Sequence, residues 1–241
     1  DDRFYDRVLR DQQLGLGESY MEGWWDAKKV DETILHILTG DLQNKIKPSP
    51  QLILAAIRSK VSAAALNQQS IARARDNAIR HYDIGNDLYE RMLGKSMVYT
   101  CAYWKDAKNL DDAQIAKLDL VCRKLQLKKG MTVLELGCGW GSFAEYAARK
   151  YGVTVTGVTP AAEQVKFARA RSKGLNVKIL QKDYREVTGM YDRVVSIGIL
   201  EHIGLKNYDT FFKVCDEHLK PGGLMLHHTI GANASYGPNG D

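Results

Sequence analysis

The sequence predicts an α/β fold in which a doubly wound, mostly parallel sheet follows a small helical domain. In the second part of the chain, short apolar runs alternate with amphipathic segments, which is typical of parallel strands joined by crossover helices. A turn with three glycines, residues 137–141, lies between the first apolar run and a helical segment. Because glycines have no Cβ, a ligand can approach the backbone there, close to the amides that begin the helix.

Residues 1–70 are predicted to form the helical domain and a linker. We expect residues 14–17, Leu-Gly-Leu-Gly, to interrupt its first helix, and apolar residues recur at helical spacing over residues 20–38. The aromatic cluster around Trp24 is expected to be core. After two prolines, residues 51–66 are predicted to form an alanine-rich helix.

Residues 71–241 are predicted to form the sheet domain. The expected strands are residues 133–136, 153–158, 177–180, 192–197 and 224–229, and the expected helices are residues 111–125, 142–151, 161–172 and 208–219. Because the carboxyl ends of parallel strands share one edge of a sheet, we expect the ligand at that edge.

The composition is that of a globular protein, with 44% apolar and 26% charged residues among 241. We find no apolar run of the roughly 20 residues that span a bilayer. The cysteines form no Cys-x-x-Cys pair and no Cys/His ligand spacing, so we expect a reducing cytoplasm and no bound metal. They are Cys101, Cys122, Cys138 and Cys215, and the last three are expected to be structural.

Basic residues are concentrated in residues 42–80. The stretch contains Lys45, Lys47, Arg58, Lys60, Arg73, Arg75 and Arg80 against the single acid Asp76. Such a pattern indicates a surface for a polyanion, either nucleic acid or an anionic membrane, or else a solvated helix face.

The residues around the glycine turn indicate which ligand it holds. The spacing Glu-x-Gly-x-Gly-x-Gly lacks the third glycine of dinucleotide sites, and Glu135 suits a ligand that carries an ammonium group. The second strand ends at Thr159 where dinucleotide enzymes place an acid, so ribose contacts are expected from Thr159 and Gln164. After the third strand, Asp183 is placed to meet an adenine amino group and Tyr184 to stack on the ring. Together these features favour S-adenosylmethionine, and the glycine turn resembles motif I of the class I methyltransferases.

Five segments extend this resemblance to a narrower family: residues 14–25, 81–83, 99–104, 198–204 and 226–231. With them, the chain resembles the bacterial cyclopropane fatty acid synthases nearly from end to end. The mycolic acid cyclopropane synthases are similar only in the catalytic half. The resemblance implies a class I, Rossmann-like methyltransferase fold. That fold normally closes with an antiparallel hairpin, so the chain is expected to be incomplete at its carboxyl end.

The resemblance also implies site residues. The implied contacts to S-adenosylmethionine are Tyr99, Thr100, Val133, Leu134, Glu135, Leu136, Gly137, Cys138, Gly139, Trp140, Gly141, Thr159, Pro160, Ala161, Ala162, Glu163 and Gln164. A bicarbonate ion is implied to lie among Glu201, His228, Cys101, Tyr82 and the backbone of Ile230. His202 and His227 are expected to face away, and Cys101 could instead be a small buried hydrophobe.

The expected activity is transfer of a methylene from S-adenosylmethionine across the cis double bond of acyl chains in membrane phospholipids. Methyl transfer leaves a carbocation, which Tyr99, Tyr103, Trp104 and Trp140 are expected to shield from water, and the bicarbonate removes a proton so that the ring closes. One alternative is a methyltransferase that acts on another olefinic lipid or on an amine, and the other is a protein without enzymatic activity that binds the lipid or the cofactor.

A lipid substrate gives the basic stretch a role. It becomes a peripheral contact with the inner face of the membrane, and nucleic-acid binding is no longer expected. The resemblance also suggests a homodimer.

Overall fold

The computed structural model describes residues 1–40, 53, 69–71, 73–74 and 85–231. Predictions that concern residues 51–66, Tyr82 and the basic stretch apart from Arg73 therefore lie outside the described residues, Ile53 excepted. The chain divides into two compact units, Asp1–Leu66 and Asn67–Asp241. In the part of the chain that the structure describes, no helix combines the length and the apolar character needed to cross a bilayer.

The amino-terminal unit contains α1 (Arg3–Met21) and α2 (Val30–Thr39). The predicted interruption at residues 14–17 is wrong, because the backbone leaves the helical region at Gln12 (φ +50°, ψ −126°) and is helical again over those residues. Gly15 serves a close approach instead: a Cβ there would lie 2.5 Å from the carbonyl oxygen of Arg7. The predicted aromatic core is only partial, since Trp24 is half-buried, beneath the guanidinium of Arg7.

The second unit confirms the predicted doubly wound sheet. Within the described residues the sheet has five strands, which are all parallel and lie in the order β3-β2-β1-β4-β5. They are β1 (Thr132–Leu136), β2 (Thr154–Thr159), β3 (Val177–Gln181), β4 (Tyr191–Ile197) and β5 (Leu219–His228). The helices described are α3 (Asn86–Leu93), α4 (Leu110–Lys124), α5 (Ser142–Tyr151), α6 (Ala162–Arg171), α7 (Leu200–Ile203) and α8 (Tyr208–Glu217).

The last strand differs most from its prediction. β5 begins at Leu219 rather than at residue 224, and α8 ends correspondingly early, at Glu217. Leu219 pairs with Tyr191, and the register shifts between Tyr191 and Arg193. A local irregularity of this kind lets the Pro-Gly-Gly sequence, residues 221–223, stay within the strand, although the predicted strand begins only after it.

Apolar clusters cover both faces of the sheet. One joins α4 to α5 and α6 and includes Cys122 and Cys138, and the other joins β4 to α8 and includes Cys215. These three cysteines are buried, as expected for structural residues. The strand order reverses at β1, between β2 and β4, and a doubly wound sheet opens a ligand crevice at the carboxyl ends of those strands.

Candidate active site

A cavity of about 620 Å³ lies at the carboxyl ends of β1, β2 and β4. Its walls come from the glycine turn, from α4 and from residues 97–100, and its lining is mostly apolar. This is the edge of the sheet where the sequence predicts the ligand. The volume is in the range of pockets that enclose a nucleoside-sized molecule.

The glycine turn forms the floor of the cavity. Gly137, Gly139 and Gly141 all have positive φ angles, of +72°, +51° and +80°. A Cβ at Gly137 would lie 1.7 Å from Ile199, and one at Gly141 would lie 2.8 Å from Ala168, whereas one at Gly139 would meet no atom within 4 Å. The first and third glycines therefore permit close packing, and Gly139 leaves the backbone open toward the cavity.

Glu135 is buried beneath this turn, with 4% of its surface exposed. One carboxylate oxygen, Oε2, has no hydrogen-bond partner among the described residues, although the carboxylate accepts the N–H of Ala144. Burial raises the pKa of Glu135 to about 8, while the charge of Lys117 and the Ala144 hydrogen bond work in the opposite direction. A cation bound in the cavity would give the unpartnered carboxylate oxygen a partner of opposite charge.

Two polar groups lie at the ends of the next strands. The Thr159 hydroxyl donates to Gln164 Oε1 at 2.7 Å, and both side chains are buried in the cavity wall. Asp183 accepts two hydrogen bonds from the Arg185 guanidinium, at 2.6 and 2.8 Å. Arg185 also lies over the ring of Tyr184, with 5.0 Å between its Cζ and the ring centroid. These contacts fix the orientation of Asp183 and Tyr184 at the rim.

α4 supports the opposite wall. Lys117 Nζ donates to Thr100 Oγ1 at 2.8 Å, and Gln114 Nε2 donates to the carbonyl oxygen of Thr100 at 2.9 Å. Both α4 side chains are buried, with 5% and 3% of their surfaces exposed. Burial lowers the pKa of Lys117 to about 8, against the opposing effects of Cys101 and Glu135.

The residues that the resemblance assigns to bicarbonate form two pairs. Ile230 N donates to Glu201 Oε1 at 2.6 Å, and Cys101 Sγ lies 3.3 Å from His228 Nε2. Burial acts to raise the pKa of Glu201, but hydrogen bonds from its own N–H, the Ile230 N–H and the Thr229 hydroxyl outweigh this and lower it. Glu201 is therefore ionised at neutral pH.

Most of the predicted cofactor contacts lie in the cavity wall. Those that line it are Tyr99, Thr100, Glu135, Gly137, Cys138, Gly139, Trp140, Thr159, Pro160, Gln164, Asp183 and Tyr184, and Ile230 joins them. Those that do not are Val133, Leu134, Leu136, Gly141, Ala161, Ala162 and Glu163, together with Glu201, His228 and Cys101. Val133, Leu134 and Leu136 are fully buried within the sheet instead. The roles of all these residues stay predictions.

Several expectations about individual side chains need correction. His202, on α7, lines the cavity rather than facing away. His227 does face away and packs between Phe211 and Phe212. Cys101 is exposed, so it is not a small buried hydrophobe. Tyr103 and Trp104 lie outside the cavity lining, and 53% of Trp104 is exposed.

Lys117, Gln114 and Arg185 contact the candidate site but were not predicted from the sequence. Gln114 and Lys117 are polar residues on the side of α4 that otherwise carries Ala113, Leu118 and Val121, all buried. A lysine and a glutamine on the apolar stripe of an amphipathic helix were the available signal. The described residues contain no group of three or more His, Cys, Asp or Glu that could hold a metal ion.

Comparison with known proteins gives the family. The family model for mycolic acid cyclopropane synthetase matches residues 69–238. The chain belongs to the mycolic acid cyclopropane synthetase family. The cyclopropane-fatty-acyl-phospholipid synthase of Escherichia coli strain K12 is 51% identical over 229 residues, which are 95% of this chain and 59% of that protein. This similarity confirms the resemblance noted from the sequence. The chain thus spans about six-tenths of the length of the curated relative.

Two solved structures that resemble this chain show which fold it adopts. Mycolic acid cyclopropane synthase CmaA1, complexed with SAH and CTAB, is 36% identical, with a TM-score of 0.61 over 64% of this chain and 55% of that one. Coclaurine N-methyltransferase, bound to N-methylheliamine and SAH, is 29% identical, with a TM-score of 0.62 over 89% of this chain and 62% of that one. The fold is that of the class I methyltransferases, as predicted.

Proposed function

We propose that this protein uses S-adenosylmethionine to add a methylene across the cis double bond of unsaturated acyl chains in phospholipids. The observation that carries the proposal is the buried Glu135 carboxyl, with one unpartnered oxygen, at the floor of a glycine-lined cavity. The family membership and the 51% identity to a cyclopropane-fatty-acyl-phospholipid synthase support the choice of substrate.

The residues present fit S-adenosylmethionine. Glu135 would hold the ammonium group, and the buried Thr159–Gln164 pair would hold the ribose hydroxyls. Asp183 and Tyr184 would hold the adenine, since Arg185 fixes both of them at the rim. When bound, the cofactor supplies an electrophilic methyl group on a sulfonium sulfur.

The chain itself contributes orientation and a dry environment. The cavity wall is mostly apolar and includes Val98, Phe143 and Ile199. Trp140 is buried in it, with its indole N–H donating to Asn86 Oδ1 at 2.8 Å, so the indole ring is fixed. An alkene is a weak nucleophile whose attack leaves positive charge on carbon. A wall that aligns the reactants and keeps out water favours that attack over side reactions.

Proton removal is the step that closes the ring. We propose that bicarbonate acts as the base and is held by Glu201, His228, Cys101, Tyr82 and the Ile230 amide. Carboxylate, imidazole, thiol and amide suit a small oxyanion that carries a proton. Glu201 and Ile230 bond to each other in the structure, so binding of the ion requires that this hydrogen bond open or be shared.

One further acceptor has support from a specific observation. Coclaurine N-methyltransferase is similar over 89% of this chain, so the same architecture accommodates an amine acceptor. Addition of a plain methyl branch to an olefin needs the same cofactor site. Products separate these alternatives, because ring closure adds CH₂ and removes the alkene.

The decisive experiment incubates the purified chain with methyl-labelled S-adenosylmethionine and vesicles of cis-unsaturated phosphatidylethanolamine. We expect acyl chains that gain about 14 mass units, one CH₂, and lose their double bond. Vesicles of saturated phospholipid are the matched control and should take up no label. A protein that binds the cofactor but leaves the acyl mass unchanged would contradict the proposed activity. A mass gain with a surviving double bond would favour methyl branching.

We also propose that the protein acts from the cytoplasm as a peripheral membrane protein and forms a homodimer. The basic stretch, residues 42–80, supports the membrane contact, because each basic residue near an anionic surface contributes about 1 kcal/mol. We expect co-sedimentation with anionic liposomes that weakens with salt and in a variant neutralised at Arg58, Lys60, Arg73 and Arg75. Neutralising Lys124, Lys128, Lys129 and Lys150 gives a control of equal charge change. Binding that is indifferent to both salt and the first variant would overturn the proposal.

A further inference from the structure

Lys117 is a buried lysine next to the proposed cofactor site. Only 5% of its surface is exposed, and its side chain lines the cavity. Its ammonium donates to Thr100 Oγ1 at 2.8 Å, while Gln114, one helical turn earlier, donates to the Thr100 carbonyl oxygen at 2.9 Å. Burying an ammonium group costs free energy unless hydrogen bonds or an opposite charge compensate for the lost water, so the burial of Lys117 requires an explanation.

The hydrogen bond from Lys117 leaves the Thr100 hydroxyl with its own hydrogen for another acceptor. A hydroxyl that accepts from a cation becomes a stronger donor, because each bond polarises the next. Thr100 also lines the cavity. The charge of Lys117 therefore acts on a ligand in the cavity through the neutral Thr100 hydroxyl.

The same cavity contains a group of opposite sign. Glu135 is buried at its floor, and Lys117 and Glu135 influence each other electrostatically. The described wall therefore offers an anion-binding end at Thr100 and Lys117 and a cation-binding end at Glu135. An α-amino acid has the matching arrangement, a carboxylate and an ammonium on one carbon.

We propose that Lys117 is a positioning residue that acts through the Thr100 hydroxyl to bind the α-carboxylate of the cofactor's amino-acid moiety. The inference rests on the proposed function, because it requires that the cavity bind S-adenosylmethionine. It adds a charge that sequence motifs do not reveal, since Lys117 lies on α4, well before the glycine turn.

The test measures binding by calorimetry with three ligands. These are S-adenosylhomocysteine, its decarboxylated analogue, which keeps the ammonium, and 5′-methylthioadenosine, which lacks the amino-acid moiety. We expect Lys117→Met to weaken S-adenosylhomocysteine binding by about ten- to a hundredfold, as for loss of a charge-assisted hydrogen bond. Affinity for the decarboxylated analogue should be equal or tighter, because a positive charge leaves the site. Affinity for 5′-methylthioadenosine should be unchanged.

Thr100→Val is the second variant, because it removes the hydroxyl and leaves α4 intact. It should match Lys117→Met, and the double variant should bind S-adenosylhomocysteine no more weakly than either single one. Lys124→Met, an exposed lysine on the same helix, is the control and should bind all three ligands normally.

Four outcomes would overturn the inference. If both variants bind all three ligands equally more weakly, the role of Lys117 is purely structural. If both bind S-adenosylhomocysteine as the wild type does, Lys117 has no role in recognising the ligand. If thermal unfolding shows that Lys117→Met is not folded, the ligand affinities of Thr100→Val alone decide the test. A wild-type chain that binds 5′-methylthioadenosine but not S-adenosylhomocysteine would contradict the inference yet retain a nucleoside site. Failure to bind either ligand would overturn the proposed function as well.

Discussion

Replacing Glu135 with glutamine is expected to stabilise the ligand-free protein near pH 8 and to weaken S-adenosylhomocysteine binding by at least about tenfold. The carboxyl group is almost fully buried and burial raises its pKa to about 8, so its ionisation opposes folding. The same ionised group is the partner proposed for the ligand's ammonium. One substitution should therefore change stability and affinity in opposite directions.

The pH dependence follows from the direction of the shift. A carboxyl whose pKa rises from 4.5 to about 8 on folding contributes stability that is complete below about pH 4.5 and is lost as pH rises through about 8. Lys117, with a pKa lowered from 10.5 to about 8, has the opposite slope above pH 8. Ionisation of Glu135 should thus lower the wild-type unfolding free energy between about pH 4.5 and 8.

Urea unfolding at pH 5, 6.5 and 8 measures this slope. Glu135→Gln should flatten it and gain about 2 kcal/mol at pH 8, which is the ionisation cost less that of burying an unpaired amide. Glu90→Gln removes an exposed carboxyl from α3 and should preserve the wild-type slope. A Glu135→Gln variant that retains the wild-type slope would mean that the carboxyl is not buried as described.

The sheet was predictable because its determinants are local. Runs such as Val133 to Leu136 are mostly apolar and are followed by glycine, so strand, turn and helix follow from neighbouring residues. The predictions were wrong where contacts between residues far apart in the sequence determine the local structure. Residues 14–17 stay helical because Gly15 packs against Arg7, and the chain bends at Gln12 instead. Likewise, pairing with Tyr191 extends β5 through Pro-Gly-Gly.

The candidate site was predictable where it follows the strand order. Thr159 ends β2, Glu135 is the last residue but one of β1, and Asp183 follows β3 by two residues. Parallel strands bring such ends together. Lys117 could not be placed in this way, because its contact with Thr100 depends on how α4 packs over the sheet. The Glu201–Ile230 hydrogen bond is similarly non-local, since it joins α7 to the residues that follow β5.

Replacing Glu201 with glutamine is expected to reduce turnover by about 10²- to 10⁴-fold, the usual effect of losing general-base chemistry. Hydrogen bonds from the backbone and from Thr229 keep Glu201 ionised, and its Oε1 accepts the Ile230 N–H. Glutamine keeps an oxygen for that N–H but removes the charge. The loop after β5 should therefore keep its position while proton removal fails.

The measurement compares product formation in carbon-dioxide-depleted buffer with and without added bicarbonate. Wild-type turnover should fall on depletion and recover on addition, whereas Glu201→Gln should be slow and insensitive to the ion. Its affinity for S-adenosylhomocysteine should stay within about twofold of wild type, because Glu201 does not line the cofactor cavity. Glu217→Gln, which changes an exposed carboxyl at the end of α8, should leave turnover and bicarbonate dependence intact.

If wild-type turnover is independent of bicarbonate while Glu201→Gln is still slow, the carboxylate itself removes the proton and the ion is unnecessary. If Glu201→Gln turns over normally, Glu201 neither removes the proton nor holds the base, and the role proposed for it is wrong.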